Sequence, residues 1–240
     1  DITNKELVKK AYEYCKPYSK VGDVVVEEYM KGPEVSVETL TINGVCHVIQ
    51  ITDKLTTGAP HYVEMGHSQP TKHSEEVAIR IAEVAKAANK AIGIKNGPSH
   101  TEIIITSQGP KIVELGARLG GDNITTHLVP LSTGINMVEA CIKIALGEVP
   151  DIKRKWNKGA AIRYFKQHAG TVKNIDGIDK AKRIAGIQQI SIVHGVGEKV
   201  TEIESSGSRM GFVIAQSDNR ETAIDACNKA LGEILIEIEE

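Results

Sequence analysis

The chain has 240 residues, 41% of them hydrophobic, and its 29 basic and 31 acidic side chains leave a formal net charge of -2. A chain of this length buries a substantial core, and a charge so near zero argues against nucleic acid or an anionic membrane as a partner. Four scattered cysteines without a CxxC pair disfavour a zinc knuckle or a disulfide framework, and no apolar run approaches the roughly 20 residues of a membrane span, so we expect a cytoplasmic protein.

The first part of the chain has the pattern of a helix followed by an antiparallel meander. Helical spacing of apolar residues predicts a short amphipathic helix over 5–15. Runs rich in β-branched residues predict strands over 23–29, 34–42 and 45–51. The dipeptide Asn43-Gly44 is typical of a type I′ hairpin turn, so the last two strands should pair.

The middle of the chain predicts a long loop, a helix and a second hairpin. Residues 52–72 lack clear periodicity and are expected to form the loop. Ser74 is a good cap for the helical pattern that ends at Gly93. Beyond it the pattern predicts a strand over 100–106 and a returning strand over 111–115. A glycine-rich segment, 116–121, and a helix over about 136–146 follow.

The last part of the chain predicts a smaller α+β unit. We interpret residues 150–158 as a boundary that divides the chain into 1–150 and 151–240. Beyond the boundary the pattern predicts strands at 160–165, 189–193, 199–203 and 211–217, and helices at 178–185 and 220–234. The predicted class is therefore α+β: an antiparallel sheet with helices, followed by a small α+β domain.

The second hairpin carries the most informative pair of charges. Counted inward from its turn, Glu102 and Glu114 are near neighbours across the ladder. Two carboxylates in such positions repel each other unless a cation lies between them, and magnesium is commonly held by one or two carboxylates together with substrate phosphates. His100 points to the same face, and Arg118 follows within reach of a phosphate or a substrate carboxylate. Charged residues on a hairpin more often form a solvent-exposed face without a metal. The choice between that interpretation and a metal site therefore depends on the rest of the sequence.

The hairpin resembles the metal-binding core of ATP-grasp enzymes. The resemblance lies in His100-Thr101-Glu102 and in the stretch 112–122, and it implies that Glu102 and Glu114 bind magnesium. Many relatives have asparagine where this chain has Gly116, which leaves a second metal one ligand short. Asp122 or the residue after it is a candidate replacement.

A second resemblance lies upstream, where residues 25–34 are similar to the hinge strand on which ATP-grasp enzymes bind adenine. It implies that Glu28 and Met30 offer backbone contacts to the base and that Glu27 lies beside the adenine amino group. Glu34 would accept hydrogen bonds from the ribose hydroxyls. A strand that ends in acidic residues without binding a nucleotide would have much the same sequence.

The order of hinge, lysine, carboxylate pair and arginine along the chain also agrees with the family. Lys54 resembles the lysine that touches the transferred phosphoryl group in D-alanine ligase-like members, and the resemblance makes Lys54, Arg118 and His100 the catalytic candidates. It implies ATP and Mg²⁺, or Mn²⁺ in its place, as cofactors. The implied reaction activates a small carboxylate as an acylphosphate, which an amine then attacks.

The rest of the chain resembles the cap domain of L-amino acid ligase and biotin carboxylase relatives. The resemblance lies in 169–172 and 207–211, where Arg209 either reaches a ligand or braces a turn. The predicted fold is thus the carboxyl-terminal ATP-grasp subdomain plus a small cap domain.

Two alternatives to a carboxylate–amine ligase stay open. One is a carbamoyl phosphate synthetase or carboxylase type of ATP-grasp subunit, in which bicarbonate replaces the organic acid. The other is a noncatalytic nucleotide-binding fragment. Residues 1–22 contain neither the lysine-bearing strand nor the glycine-rich loop of the family, and the first methionine is Met30, so we expect an incomplete enzyme. It should form a homodimer or associate with the missing amino-terminal part.

Overall fold

Residues 4–239 are described by the computed structural model, and their strands build one large and one small antiparallel sheet. The strands are β1 Glu34–Ile42, β2 Val45–Thr56, β3 Glu64–Gln69, β4 Gly97–Thr106, β5 Gly109–Gly116, β6 Gly159–Tyr164, β7 Gly170–Asp176, β8 Ile187–Ile192, β9 Lys199–Val200, β10 Gly211–Ser217 and β11 Leu235–Glu239. The helices are α1 Lys5–Cys15, α2 Glu75–Ala91, α3 Val129–Thr133, α4 Met137–Ala145, α5 Ile178–Lys182 and α6 Arg220–Glu233. A π-helical segment, Ile124–Leu128, leads directly into α3.

The alternation along β1 separates an apolar face of the sheet from a polar one. Val35 and Val37 are fully buried in a cluster with Ile81 and Ala85 of α2. The residues between and beyond them, Glu34, Ser36 and Glu38, therefore point to the opposite face, because successive side chains of a strand alternate. That opposite face holds the candidate site.

Strand order explains how the two halves of the chain meet. The large sheet runs β5-β4-β1-β2-β3-β6-β10-β8, and the small sheet runs β11-β7-β9. β3 pairs with β6 from Gly66 opposite Arg163 to Gln69 opposite Ala160. The large sheet thus continues from strands before residue 150 into strands after it, and the boundary at 150–158 stays a prediction.

Helices cover both faces of the large sheet. On the polar side of β1, α3 and α4 pack over Leu40, Ile162 and Ile214. On the other side, α2 covers β1 and α6 covers β6 and β10. Glu34 and Glu38 lie on the same face of β1 as Leu40, so two carboxylates are found next to this apolar core. The mixed helix and antiparallel sheet architecture confirms the predicted class.

The two hairpins and the long helices confirm the sequence prediction, but the strand predicted over 23–29 is wrong. This segment has no strand geometry, and Val25 and Val26 are each 79% exposed. Among residues 4–239 no strand pairs with it, so its β-branched composition has no ladder to join.

The loop predicted over 52–72 is also partly wrong, because β2 continues to Thr56 and residues 64–69 form β3. β3 escaped prediction because its buried side chains are polar. Gln69 Nε2 donates to Thr52 Oγ1 at 2.8 Å, and Ser132 Oγ donates to Gln69 Oε1 at 2.8 Å, so hydrogen bonds replace the expected apolar contacts. In the last part of the chain β7 and β11 were not predicted, and the strand at 199–203 shortens to β9.

Within the described part of the chain, no single helix has both the length and the apolar composition to cross a membrane. A pair joined at a 110° bend, Ile124–Thr133 with Met137–Ala145, meets both conditions only when taken together.

Candidate active site

Lys54 is the centre of the site. Its side chain is only 4% exposed, and its Nζ lies 2.5 Å from Glu34 Oε1, 2.9 Å from Glu102 Oε1 and 3.5 Å from Glu64 Oε1. These three carboxylates come from β1, β4 and β3, so three strands converge on one lysine of β2. The structure therefore brings together Lys54, Glu34 and Glu102, which the sequence placed in separate roles.

Burial and ion pairing oppose each other in this cluster. Burial disfavours the charged form of Lys54, but its contacts with Glu34 and Glu102 outweigh that effect and raise its pKa. The pKa of Glu102 falls to about 2, chiefly through hydrogen bonding with His100 and the charge of Lys54, against the effect of burial. Burial raises the pKa of Glu34, with repulsion from Glu102 in the same direction and Lys54 acting against it. The cluster thus holds a firmly ionised Glu102 beside a lysine cation.

His100 lies between two carboxylates. Its Nδ1 is 2.6 Å from Glu38 Oε1 and its Nε2 is 3.4 Å from Glu102 Oε1. Burial alone would lower the pKa of His100, but the hydrogen bonds to Glu102 and Glu38 raise it to about 9. The imidazole is therefore protonated at neutral pH and donates to both carboxylates.

Glu114 occupies the expected place in the ladder but not the same environment as Glu102. The two residues are direct partners between β4 and β5, which confirms the predicted pairing. The side chain of Glu114 is 58% exposed, however, and it lies 3.6 Å from Arg118, whose side chain is 54% exposed. Arg118 lines a small cavity of about 150 Å³ together with Lys54, His100 and Glu102.

A larger cavity of about 550 Å³ lies beside the hinge segment. Residues 28–34, Lys54 and Tyr62 are among those that line it. Met30 and Glu34 border this space, and Glu28 borders it while its carboxylate pairs with Lys111 at 2.8 Å. Their contacts with a nucleotide stay a prediction. The prediction for Glu27 finds no such support, because its exposed side chain is not among those that line the cavity.

Lys54 lines both cavities, so the hinge cavity and the small cavity meet at this residue. The smaller cavity contains the charged groups and the larger one borders the exposed hinge. An elongated ligand with a flat head and an anionic tail would match this arrangement.

Sequence reasoning missed a second charged network at the far end of the small cavity. Arg209 donates to Asp122 Oδ2 at 2.9 Å and to Asp122 Oδ1 at 2.7 Å, and Asp122 Oδ2 also lies 3.1 Å from His67 Nε2. The guanidinium carbon of Arg209 lies 3.7 Å above the ring of Tyr164. Burial opposes the charge on Asp122, but Arg209 and His67 hold its pKa well below the usual range.

The sequence pattern predicts a loop where β3 lies and so gives no role to His67. It offers Asp122 as a candidate metal ligand but not as the partner of Arg209, because the two residues are 87 positions apart along the chain. Arg209 was also singled out from the sequence, and it supports the cavity wall through its contacts with Asp122 and the backbone oxygen of Glu64. Both oxygens of Asp122 already accept hydrogen bonds from Arg209, so Asp122 is poorly placed to replace a metal ligand lost at Gly116.

The carboxylates fit a magnesium ion that is shared with phosphates better than an ion held by protein alone. Across residues 4–239, no three histidine, cysteine, aspartate or glutamate side chains form a ready metal site. Both polar contacts to Glu102 fall on Oε1, from Lys54 and His100. One carboxylate with oxygen to spare, next to a cavity for an anion, matches the usual way in which magnesium is bound.

Comparison with known proteins assigns the two parts of the chain to known domain families. Residues 2–126 match the model of the ATP-grasp domain, and residues 163–239 match the L-amino acid ligase C-terminal domain 2. The L-arginine-specific L-amino acid ligase of Bacillus subtilis is 25% identical over 186 residues, which are 76% of this chain and 45% of that protein. The protein y4rH of Sinorhizobium fredii is 27% identical over 213 residues, which are 88% of this chain and 44% of that protein.

Among solved structures, the L-amino acid ligase from Bacillus licheniformis superimposes with a TM-score of 0.86 at 25% identity. The match covers 100% of this chain and 61% of that one. The chain spans about half the length of the curated relatives it matches: 45% of the L-arginine-specific ligase and 44% of y4rH.

Proposed function

Because this chain belongs to the ATP-grasp family, we propose that it is part of an ATP- and magnesium-dependent carboxylate–amine ligase that works through an acylphosphate. The observation that carries the proposal is the position of Lys54, which is shared by the hinge cavity and the charged cavity. A nucleotide needs such a junction, since its base is flat and its phosphates are anionic.

In this proposal the adenine lies along residues 28–33 and makes backbone contacts at Glu28 and Met30. Glu34 accepts hydrogen bonds from the ribose, and the phosphates extend past Lys54 into the charged cavity. Support comes from the residues that line the hinge cavity, which include Glu28, Met30 and Glu34. Glu27 faces solvent here, so its contact with the adenine amino group is the least supported part of the proposal.

Magnesium is proposed to bind Glu102 and Glu114. Three carboxylates around a single lysine leave an excess of negative charge, which a divalent cation balances when phosphates enter. Members of the family use ATP and magnesium. When bound, the metal would neutralise the terminal phosphates and orient them for transfer.

The residues of the chain then supply positioning and charge. Lys54 and Arg118 are proposed to stabilise the negative charge that spreads over the transferred phosphoryl group. The substrate carboxylate attacks that phosphoryl group, forming the acylphosphate and releasing ADP. The amine attacks the acyl carbon and phosphate leaves, so an amide bond replaces the acylphosphate bond.

The substrates are proposed to be a small carboxylic acid and an amino acid as the amine. Support comes from the match of residues 163–239 to the L-amino acid ligase C-terminal domain 2. The assembly is proposed to be either a homodimer or a complex with an amino-terminal part of the enzyme. Analytical ultracentrifugation of the chain, alone and with that part added, distinguishes the two.

Isothermal titration with ADP tests the proposed nucleotide site. We expect the chain to bind ADP, and magnesium to tighten the binding. Glu102→Gln and Glu114→Gln should remove the effect of magnesium, whereas the exposed Glu237→Gln should not. Binding that magnesium leaves unchanged in the wild type would contradict the proposed metal site, and a lack of ADP binding with and without magnesium would contradict the proposed function.

A further inference from the structure

Glu38 is a fully buried carboxylate at the edge of the charged cluster. It lies on β1 directly opposite His100 of β4, and its Oε1 is 2.6 Å from His100 Nδ1. Its side chain is 0% exposed, and within the described residues its Oε2 has no hydrogen-bond partner. A buried carboxylate with one unsatisfied oxygen is costly, so stability alone does not explain it.

The neighbouring positions of β1 show that an apolar residue suits this site. Leu40 follows two residues later on the same face and is fully buried in the core beneath α4. An apolar side chain at 38 would simply extend that core, and replacing a buried ionic pair with apolar residues is often neutral or stabilising. The carboxylate at 38 therefore calls for a functional explanation.

His100 connects Glu38 to Glu102. The ring is 4% exposed, and a carboxylate lies near each of its nitrogens, at 2.6 Å on the Glu38 side and 3.4 Å on the Glu102 side. A planar ring fixed at one nitrogen presents its other nitrogen in a fixed direction. Glu38 thus acts on the orientation of the Glu102 carboxylate through this ring, beside the contact of Lys54 Nζ with Glu102 Oε1 at 2.9 Å.

Gly120 leaves the room that this chain of contacts needs. A Cβ atom at position 120 would lie 2.7 Å from Glu38 Oε2, 2.7 Å from His100 Nδ1 and 2.9 Å from Glu38 Oε1. No side chain fits there without displacing the buried pair. The glycine-rich segment therefore packs its backbone directly against Glu38 and His100.

We propose that Glu38 and His100 are positioning residues, which hold the carboxylate of Glu102 in the orientation that meets the divalent cation. The proposal rests on the proposed function, because it takes Glu102 as a magnesium ligand. Glu38 touches neither metal nor nucleotide and acts only through His100. Substituting a residue that hydrogen-bonds to a metal-binding side chain typically changes the metal affinity by about 10- to 100-fold.

The test measures how much magnesium is needed to tighten ADP binding. In Glu38→Gln we expect the half-saturating magnesium concentration to rise by about tenfold, while ADP affinity without magnesium stays at the wild-type value. Gly120→Ala should also raise the half-saturating magnesium concentration without changing ADP affinity in its absence, because the added Cβ displaces Glu38 and His100. NMR of the chain with ¹⁵N-labelled histidine should show a shift of both His100 ring nitrogens in each variant.

Matched controls separate positioning from a general loss of structure. Glu237→Gln removes an exposed carboxylate, and Gly195→Ala adds a Cβ where nothing lies within 4 Å. Both should keep the wild-type magnesium dependence. A weaker ADP affinity without magnesium, equal in size to the loss with magnesium, would indicate a structural role and overturn the inference.

The two proposals can fail separately. If magnesium has its normal effect in the wild type and the same effect in Glu38→Gln and Gly120→Ala, the inference is wrong and the proposed function stands. If magnesium has no effect on ADP binding in the wild type, the proposed metal site fails and the inference fails with it.

Discussion

At the scale of single residues, Lys54 carries the electrostatics of the site. It separates Glu34 from Glu102, and its removal would leave these two partly buried carboxylates facing each other. We expect Lys54→Met to lower the free energy of unfolding by about 2 kcal/mol, because breaking a buried ion pair leaves charge without a partner. Urea denaturation at pH 7 measures this loss.

A matched lysine provides the control for this prediction. Lys111 pairs with Glu28, whose side chain is 68% exposed, so Lys111→Met should change the unfolding free energy by less than about 0.5 kcal/mol. Acid should also reduce the effect of Lys54→Met, since protonation removes the repulsion between the two carboxylates. Equal effects of the two substitutions would show that Lys54 is not an electrostatic anchor.

Two buried histidines should shape the pH dependence of stability in opposite directions. The pKa of His100 rises from 6.5 to about 9, so its contribution is complete below pH 6.5 and disappears as the pH rises to 9. Burial lowers the pKa of His67, so its contribution is present above pH 6.5 and is lost as the pH falls below that value. Urea denaturation from pH 5 to pH 9, in the absence of magnesium, should therefore show a decline at both ends.

Single substitutions assign the two limbs of this profile. His100→Asn should flatten the decline above pH 6.5, and His67→Gln should flatten the decline below it. Retention of the alkaline limb in His100→Asn would mean that another group causes it. Retention of the acid limb in His67→Gln would point to a carboxylate such as Asp122 instead.

At the scale of elements, the hinge segment depends on one close backbone contact. Gly32 has φ +154°, and a Cβ there would lie 2.1 Å from the backbone oxygen of Ile105. Pro33 O also accepts from Ile105 N at 2.9 Å, so the hinge is fastened to β4 at this point. We expect Gly32→Ala to cost about 1–3 kcal/mol of stability and to weaken ADP binding, because the hinge must move away from the sheet.

The same measurements used for Glu38 separate this effect from a metal effect. Gly32→Ala should weaken ADP binding equally with and without magnesium, whereas Glu38→Gln should act only with magnesium. Gly195→Ala, at an open position, is again the control. A normal ADP affinity in Gly32→Ala would contradict the placement of the base along the hinge.

The elements that were predicted correctly from sequence are those whose signals are local. The β4–β5 hairpin was recognisable because alternation and a turn signal act over a few residues. Counting from the turn made Glu102 and Glu114 near neighbours, and a β-bulge between Glu102 and Ile103 makes them direct partners. The segment 23–29 was misread because β-branched composition gives strand propensity but cannot supply a partner strand. β3 was missed for the opposite reason, since its neighbours β2 and β6 make a strand of a polar sequence.

The candidate site divides in the same way. The resemblance to ATP-grasp enzymes identified Lys54, Glu34 and Glu102 individually. That both carboxylates contact the ammonium group of Lys54 depends on strand order, which is a long-range property. The buried carboxylate of Glu38 gave no signal, because an acidic residue in an alternating strand reads as solvent-facing. Its role becomes visible only when β4 brings His100 opposite it.

At the scale of the whole molecule, side chains from the last part of the chain hold the candidate site from outside. Arg209 binds Asp122 at the charged cavity, and Arg220 lies 3.1 Å from Asp53, the neighbour of Lys54. Asp53 is 7% exposed and also accepts from Thr71 Oγ1 at 2.6 Å. Both arginines therefore join residues 163–239 to the part of the chain that bears the site, and the site should not form without those residues.

This architecture predicts cooperative unfolding. Because β3 and β6 continue one sheet and two partly buried ion pairs cross between its halves, the described chain should unfold in a single transition. Trp156, the only tryptophan of the sequence, reports on the junction, where its Nε1 donates to Leu131 O at 2.8 Å. Its fluorescence and the far-ultraviolet circular dichroism should therefore have the same midpoint in urea.

Arg209→Gln tests whether the two halves unfold together. It removes the cation that pairs with the partly buried Asp122 and leaves only the hydrogen bond with His67, so we expect a loss of about 2–3 kcal/mol and an equal shift of both midpoints. Arg183→Gln, at an exposed position, should shift neither. A fluorescence midpoint well below the circular dichroism midpoint would show that the two halves unfold separately. The arginine contacts would then join two independent domains rather than belong to one folded unit.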